Sequence, residues 1–383
     1  MARRRLSSFR KILLAITAGT HVPFVAGMVA LGLRLGASPP IAIAGALALG
    51  ALGVWLFLGR AESIAEDRPR PFKPILFFDM PYYVHWAACI YCLIPSIVYL
   101  LGAPFFFGWT LGFFLWCYAS GLVVCFYGVY VRRWFFITRR VEIPVKGLDP
   151  AFDGYRIAHL SDLHIGALTP PWWAKRWIDR ANEEKPDLAV VTGDAVTAGV
   201  LFHEAIAEVV GELRAEDGVF YAMGNHDYFD GEHLIGLLRG KGLTVLRNEG
   251  RTLARRDAKL YLAAIDDTWT RRADIDKALA ERPKDETGRR LPTVMLAHDP
   301  DRFPEIVKRG IDLVLSGHTH GGQVAWPFLG RWINASKLAH RFHIGLYRDG
   351  DASLYVHPGL GTTGPPIRLG VAPAVVMLTL RAA

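Results

Sequence analysis

Three stretches of this sequence run uncharged for longer than the interior of a soluble domain usually does. Ile12–Leu33 is 22 residues long, Leu35–Gly59 is 25 and Met80–Val131 is 52. A helix needs about 20 apolar residues to cross the hydrocarbon core of a bilayer. The longest stretch therefore holds two spans, with Gly102-Ala103-Pro104 as the break between them. Four spans are expected, at 12–33, 39–59, 82–103 and 107–131. They define an N-terminal α-helical membrane domain over 1–140 and leave 141–383 for a second domain.

Basic residues set the expected orientation. Arg3, Arg4, Arg5, Arg10 and Lys11 precede the first span, and Arg60, Arg68, Arg70 and Lys73 separate the second from the third. Arg132, Arg133, Arg139 and Arg140 follow the fourth, while the two opposite loops offer only Arg34. This places the N-terminus and the C-terminal half in the cytoplasm, in a multi-pass inner or plasma membrane protein. Trp109, Trp134, Tyr82 and Tyr83 suit the interfaces. An export signal opened by Arg3-Arg4-Arg5 is disfavoured, because the first apolar stretch exceeds a signal-peptide core and a second follows at once. Residues 1–140 hold 14 Lys+Arg against four acids, and the other 243 residues hold 30 against 32. The positive balance thus belongs to the membrane half, and nucleic acid is not an expected partner.

All four cysteines (Cys89, Cys92, Cys117, Cys125) fall in the third and fourth spans, where a CxxC reads as small apolar packing rather than a metal site. His21 and His85 lie in or beside spans that contain no acid to complete a proton relay. They read as neutral imidazoles hydrogen-bonded between helices.

From about residue 150 the pattern alternates between short β-rich runs and amphipathic helical stretches, which indicates an α/β domain. The runs are Tyr155–Leu160, Leu188–Thr192, Val219–Met223, Thr293–Ala297 and Ile311–Leu315, and Thr244–Leu246, Thr252–Arg255 and Leu260–Ala264 read as a small antiparallel set. Each of the first five ends on metal-competent side chains: Asp162 and His164; Asp194; Asn225, His226 and Asp227; His298; His318 and His320. The carboxyl edge of an open α/β sheet is where ligands bind.

Two carboxylates (Asp162, Asp194), one amide (Asn225) and four imidazoles (His164, His298, His318, His320) without sulfur suit Mn, Fe or Zn. Seven ligands exceed one tetrahedral ion and match a pair sharing a carboxylate. Two divalent ions carry four positive charges, against three negative charges from two carboxylates and one hydroxide. The site stays net positive and favours an anionic phosphate. Metal pairs activate water and clamp the oxygens of an in-line displacement, so phosphoester hydrolysis is the reaction class.

In order, Asp162-x-His164, Gly193-Asp194, Gly224-Asn225-His226-Asp227, His298 and Gly317-His318-Thr319-His320 resemble the five blocks of the calcineurin-like metallophosphoesterase family, over residues 150–383. That resemblance implies a four-layer αββα sandwich with a two-metal site between its sheets. It further implies that Asp162, His164 and His320 hold one ion, that Asn225, His298 and His318 hold the other, and that Asp194 bridges them. His226 would stabilise the pentavalent state or protonate the leaving oxygen, with Asp227 orienting it. Gly317–Gln323 and the late Gly359-Leu360-Gly361-Thr362-Thr363-Gly364 with Arg368 are similar to the membrane-associated bacterial branch. Some members of that branch cleave the pyrophosphate of UDP-2,3-diacylglucosamine, and others are envelope phosphodiesterases. Ala374 stands where that branch leads one to expect an acid.

Arg368 is a candidate phosphate clamp, set against an ordinary surface ion pair. His159 reads as packed, and His203, His233, His340, His343 and His357 as surface or structural. Trp172, Trp173 and Trp177 either pack the core or dip toward lipid. The reading as a whole is a membrane-anchored hydrolase of a phosphodiester or pyrophosphate bond, with anchoring favouring a lipid-linked substrate. The alternatives are a phosphomonoesterase or nucleotide phosphodiesterase acting on soluble substrate, and a scaffold with a vestigial site. A transporter lacks paired charges in the spans.

Overall fold

The computed structural model describes residues 8–66, 68–106, 110–325 and 334–383. They form two compact units, divided after Arg132. In the first unit, four helices are long and apolar enough to cross a membrane: Leu13–Arg34, Pro39–Arg60, Phe72–Ala103 and Leu111–Arg132. Their large apolar side chains point outward, with Ile41 67%, Ile94 73% and Val123 72% exposed, the reverse of a water-soluble bundle. Small residues let the helices approach. A Cβ on Gly27 would lie 3.1 Å from the Leu115 backbone, and one on Gly32 3.0 Å from the Ala42 methyl.

Two expected boundaries move. The third apolar helix begins at Phe72 rather than 82, because Asp79 within it is ion-paired to Arg70 at 2.9 Å and Arg60 at 3.4 Å. Nor does the chain break at Gly102–Pro104, since the helix continues to Phe106. Apolar helices tolerate proline where neighbouring groups take up the freed carbonyls. Arg3, Arg4, Arg5 and Trp109 lie outside the described residues. His21 and His85 are hydrogen-bonded as expected, and to each other. Their Nε2 atoms are 3.2 Å apart, with the Thr17 carbonyl 2.7 Å from His21 Nδ1 and the Tyr118 hydroxyl 2.9 Å from His85 Nδ1. Two neutral rings satisfy this chain completely, with Tyr118 donating to His85, His85 to His21 and His21 to Thr17.

The second unit contains β1 (Ile137–Val145), β2 (Arg156–Leu160), β3 (Leu188–Thr192), β4 (Val219–Ala222), β5 (Thr244–Leu246), β6 (Glu249–Arg255), β7 (Ala258–Ala264), β8 (Thr293–Leu296), β9 (Leu313–Ser316), β10 (Gly345–Asp349), β11 (Ala352–Val356) and β12 (Ala374–Ala382). One sheet has the order β1-β12-β2-β3-β4-β5 and the other β10-β11-β9-β8-β7-β6. Alternation along the strands divides the core into layers. Ala158, Leu160, Ala189 and Val191 face the helices Pro171–Glu183, His203–Gly211 and Gly231–Gly240. Ile157, Leu188 and Val190 point the other way, against Leu262, Val294 and Leu313 of the second sheet. Ala263, Met295 and Val314 cover the far face under Ala278, Phe303 and Ile306. The result is the αββα sandwich.

Thr244–Leu246 does not join an antiparallel set. It pairs parallel to β4 at the edge of the first sheet, and the antiparallel hairpin is β6–β7 alone. β1 straddles the expected 140/141 boundary and pairs with β12, from Ile137 opposite Ala374 to Val145 opposite Ala382.

Candidate metal centre

The loops that leave β2, β3, β4, β8 and β9 carry the seven expected ligands, and the structure brings six of them together in two groups of three. Asp162, His164 and His320 offer ligand atoms within 4.8 Å of one another, and so do Asp194, His298 and His318. Asp194 Oδ2 lies 3.2 Å from His298 Nε2 and 3.8 Å from His164 Nε2, so one carboxylate faces both groups.

These loops turn in an unusual conformation. Asp162 (φ 53), His164 (φ 43), Asp194 (φ 56), His318 (φ 68) and His320 (φ 52) are all left-handed, a region that disfavours residues with a Cβ by about 1–2 kcal/mol each. Two glycines make room for them. A Cβ on Gly317 would overlap the Ser161 hydroxyl and the Asp162 carboxylate, and one on Gly224 would overlap the Asp194 carboxylate.

Backbone carbonyls fix which imidazole nitrogens face the centre. His164 Nδ1 donates to Val196 O at 2.9 Å and His298 Nδ1 to Thr192 O at 2.6 Å, which turns Nε2 of each ring toward the centre. His164 Nε2 sits 3.0 Å from His320 Nε2, and His298 Nε2 sits 3.2 Å from His318 Nδ1. Asn225 Oδ1 is buried without a donor. Burial drives His164 and His318 down to about 3, so both rings are neutral. Burial raises Asp162 to about 7. Burial also opposes charge on Asp194 and His298, yet their mutual attraction holds the carboxylate below its usual range and the imidazole above its own. Converging ring nitrogens, an orphaned amide oxygen and a carboxylate seeking positive charge are what divalent cations satisfy. The donor set fits them.

His226 and Asp227 divide their work differently from expectation. His226 Nδ1 donates to Thr197 O at 2.7 Å, and that carbonyl is what orients the ring. The Asp227 carboxylate instead accepts the backbone N–H groups of Asp194 (2.9 Å), Gly224 (2.9 Å) and Val196 (3.2 Å) and the Tyr221 hydroxyl (2.9 Å). Asp227 ties the β3 and β4 loops together and leaves His226 to Thr197. No sequence pattern marks Thr192, Val196 or Thr197, because each acts through its main chain.

Arg368 is not placed to clamp a substrate. It is fully buried, with Nη1 donating to Pro358 O at 2.9 Å and Nε and Nη2 donating to Gly361 O at 3.2 and 2.5 Å. It braces the glycine-rich loop whose Gly361 N–H reaches Asp162 O at 2.7 Å. His159 is packed as expected, bonding the Thr192 hydroxyl at 2.8 Å. His340 bonds Asp301 at 2.9 Å with its ring centroid 5.2 Å from that of His318, nearer the centre than its sequence context suggests. Trp269, 61% exposed, lies 5.3 Å from the His318 ring and was not foreseen.

Comparison with known proteins bears on the same residues. The sequence model for calcineurin-like phosphoesterases matches residues 155–322. An uncharacterized metallophosphoesterase of Bacillus subtilis, YkuE, is 34% identical over 235 residues, which is 60% of this chain and 80% of the relative. The phosphodiesterase YaeI of Escherichia coli is 32% identical over 231 residues, 59% of this chain and 82% of the relative. A zebrafish (Danio rerio) transmembrane protein with a metallophosphoesterase domain is 32% identical over 258 residues, 63% of this chain and 57% of the relative. The chain thus spans little more than half the length of that last protein.

Proposed function

Because this chain belongs to the calcineurin-like phosphoesterase family, whose members are metal-dependent hydrolases, we propose that it is a membrane-anchored two-metal enzyme cleaving a phosphodiester or pyrophosphate bond in a lipid-linked substrate. The observation that carries the reading is the set of inward-turned groups converging on one centre: Nε2 of His164 and His298, each oriented by a main-chain carbonyl on its Nδ1, with the orphaned Asn225 Oδ1. Asp162, His164 and His320 would hold one divalent ion, Mn, Fe or Zn. Asn225, His298 and His318 would hold the second, with Asp194 shared. When bound, such a pair supplies Lewis acidity and a hydroxide nucleophile near neutral pH.

The remaining work falls to the chain's own groups. Asp227 fixes the distance between the Asp194 and Asn225 loops through main-chain N–H groups on both. His226, anchored through Nδ1 on Thr197, keeps Nε2 for the departing oxygen; as the imidazolium it delivers the Nε2 proton to that oxygen and is left as the neutral ring, still bonded to Thr197. The four apolar helices support the membrane anchoring, and the basic residues flanking them support a cytoplasmic catalytic unit on an inner or plasma membrane. Anchoring raises the encounter rate with a substrate confined to the same bilayer.

The test is Mn²⁺-dependent hydrolysis of bis-p-nitrophenyl phosphate beside p-nitrophenyl phosphate by the detergent-purified chain, with Asn225→Ala as control. Diester hydrolysis that vanishes in the variant supports the proposal. Hydrolysis of the monoester alone indicates a phosphomonoesterase, and neither reaction with Mn, Zn or Fe indicates a non-catalytic protein. Protease accessibility in right-side-out and inverted vesicles tests the orientation.

A further inference from the structure

Behind the glycine-rich loop lies a small cavity of about 10 Å³, roughly the space of one water, whose walls include Arg133, Trp173, Trp177, Gly361 and Thr362. Its polar groups are nearly all donors. Trp173 Nε1, Trp177 Nε1 and Thr362 Oγ1 are buried and each lacks a hydrogen-bond partner. Trp177 is 1% exposed, Arg133 5% and Thr362 6%, so these are built-in groups rather than surface ones. Arg133 donates to the Leu168 carbonyl and stacks 4.3 Å over the Trp134 ring, which meets the Trp173 ring edge-on at 4.7 Å.

An indole N–H and a guanidinium can only donate. Two orphaned indole donors and an orphaned hydroxyl beside a buried cation favour an oxygen that carries negative charge, as an anionic phosphate oxygen does. We propose that this cavity takes one oxygen of the phosphate of a phospholipid headgroup, whose remaining atoms stay outside it. Two observations favour lipid over free phosphate. Arg133 is the residue that directly follows the fourth apolar helix, Leu111–Arg132, so one residue of chain separates it from the end of that helix. Phe135 and Trp172, next in sequence to Trp134 and Trp173, are 65% and 56% exposed, and aromatic rings beside basic residues are the usual furniture of a bilayer interface. The cavity also shares a wall with the metal centre: Leu360 N–H and Gly361 N–H bond Ser161 O and Asp162 O at 3.1 and 2.7 Å. A bound headgroup would therefore brace the loop that carries Asp162.

The inference does not depend on hydrolysis, since its readout is binding. The full metal-loaded chain in neutral detergent is titrated calorimetrically with dioctanoyl phosphatidic acid, with dioctanoylglycerol and with inorganic phosphate. A chelator-stripped sample is titrated in parallel to subtract phosphate bound at the metals. Phosphatidic acid should bind and dioctanoylglycerol should not. Trp177→Phe and Thr362→Val should each weaken phosphatidic acid about tenfold or more, while the chelator-stripped chain retains that binding. Thr362→Val keeps the side-chain shape and decides the matter if Trp177→Phe fails to fold. Unchanged phosphatidic acid affinity in folded Thr362→Val overturns the proposal. So does inorganic phosphate binding with the same affinity and the same dependence on Thr362, which would make the ligand a free anion.

Discussion

Replacing His226 by alanine separates proton donation from metal binding, because neither expected triad includes this ring and its anchor is a main-chain carbonyl. The Nδ1–H is committed to Thr197 at 2.7 Å, so only Nε2 can deliver a proton, and the ring stands edge to face with His164 at 4.9 Å between centroids. A positioned acid typically contributes about 10²–10⁴ in rate, or roughly 3–5 kcal/mol of barrier. Alanine should impose that loss only where the leaving oxygen needs the proton. We expect kcat/KM for an alkyl p-nitrophenyl diester, which expels nitrophenolate, to fall about tenfold or less in His226→Ala. For a dialkyl substrate the fall should be about 10³-fold. Metal content by mass spectrometry should stay at the wild-type value. Equal losses on both leaving groups would refute the acid role and leave His226 as an electrostatic partner of the phosphoryl group. Loss of metal would refute the separation itself.

Other outcomes follow from the same geometry. Asn225→Ala should lower bound metal by one ion and diester hydrolysis by about 10²-fold or more, as losing a ligand disables half of a paired clamp. Gly317→Ala pushes a methyl into the Ser161 hydroxyl and the Asp162 carboxylate, so it should cost about 1–3 kcal/mol of stability and the ion held by Asp162, read by thermal unfolding and metal analysis. Arg368→Met strips the Pro358 and Gly361 carbonyls of their donors and should destabilise the fold by about 3–5 kcal/mol. A substrate clamp would instead raise KM at unchanged stability. Chelation should lower the unfolding midpoint as well as abolish activity, and re-added Mn²⁺ should restore both.

The candidate ligands stood out in the sequence because metal chemistry allows few residue types and an α/β sheet delivers them at strand ends. Asp162, Asp194 and His298 each follow a short β-branched or apolar run, a local signal. What was illegible depends on main-chain atoms or distant pairing. Thr197 holds His226 through its carbonyl, which any residue there would supply. Asp227 reads as a catalytic partner from its place beside His226, yet its carboxylate serves three main-chain N–H groups. Arg368 read as a phosphate clamp or a surface ion pair because a lone arginine after a glycine-rich loop gives no hint of complete burial. Thr244–Leu246 is three residues long, too short to declare its partner, and only the tertiary fold assigns it to β4. The third apolar helix starts early because Asp79 finds Arg70 and Arg60, a neutralisation that counting charges along the sequence misses.

The five left-handed ligand residues make the centre a sprung latch. At roughly 1–2 kcal/mol each, the loops store several kcal/mol that the surrounding sheets and any bound cations must hold down together. With the ions withdrawn, the restraint on the loops weakens while the αββα core keeps its own packing. Amide hydrogen exchange should then quicken at residues 161–165, 193–196 and 317–322 and leave β2, β3 and β9 protected. Occupancy of the centre would thus be written into the mobility of three loops, far more than into the fold that carries them.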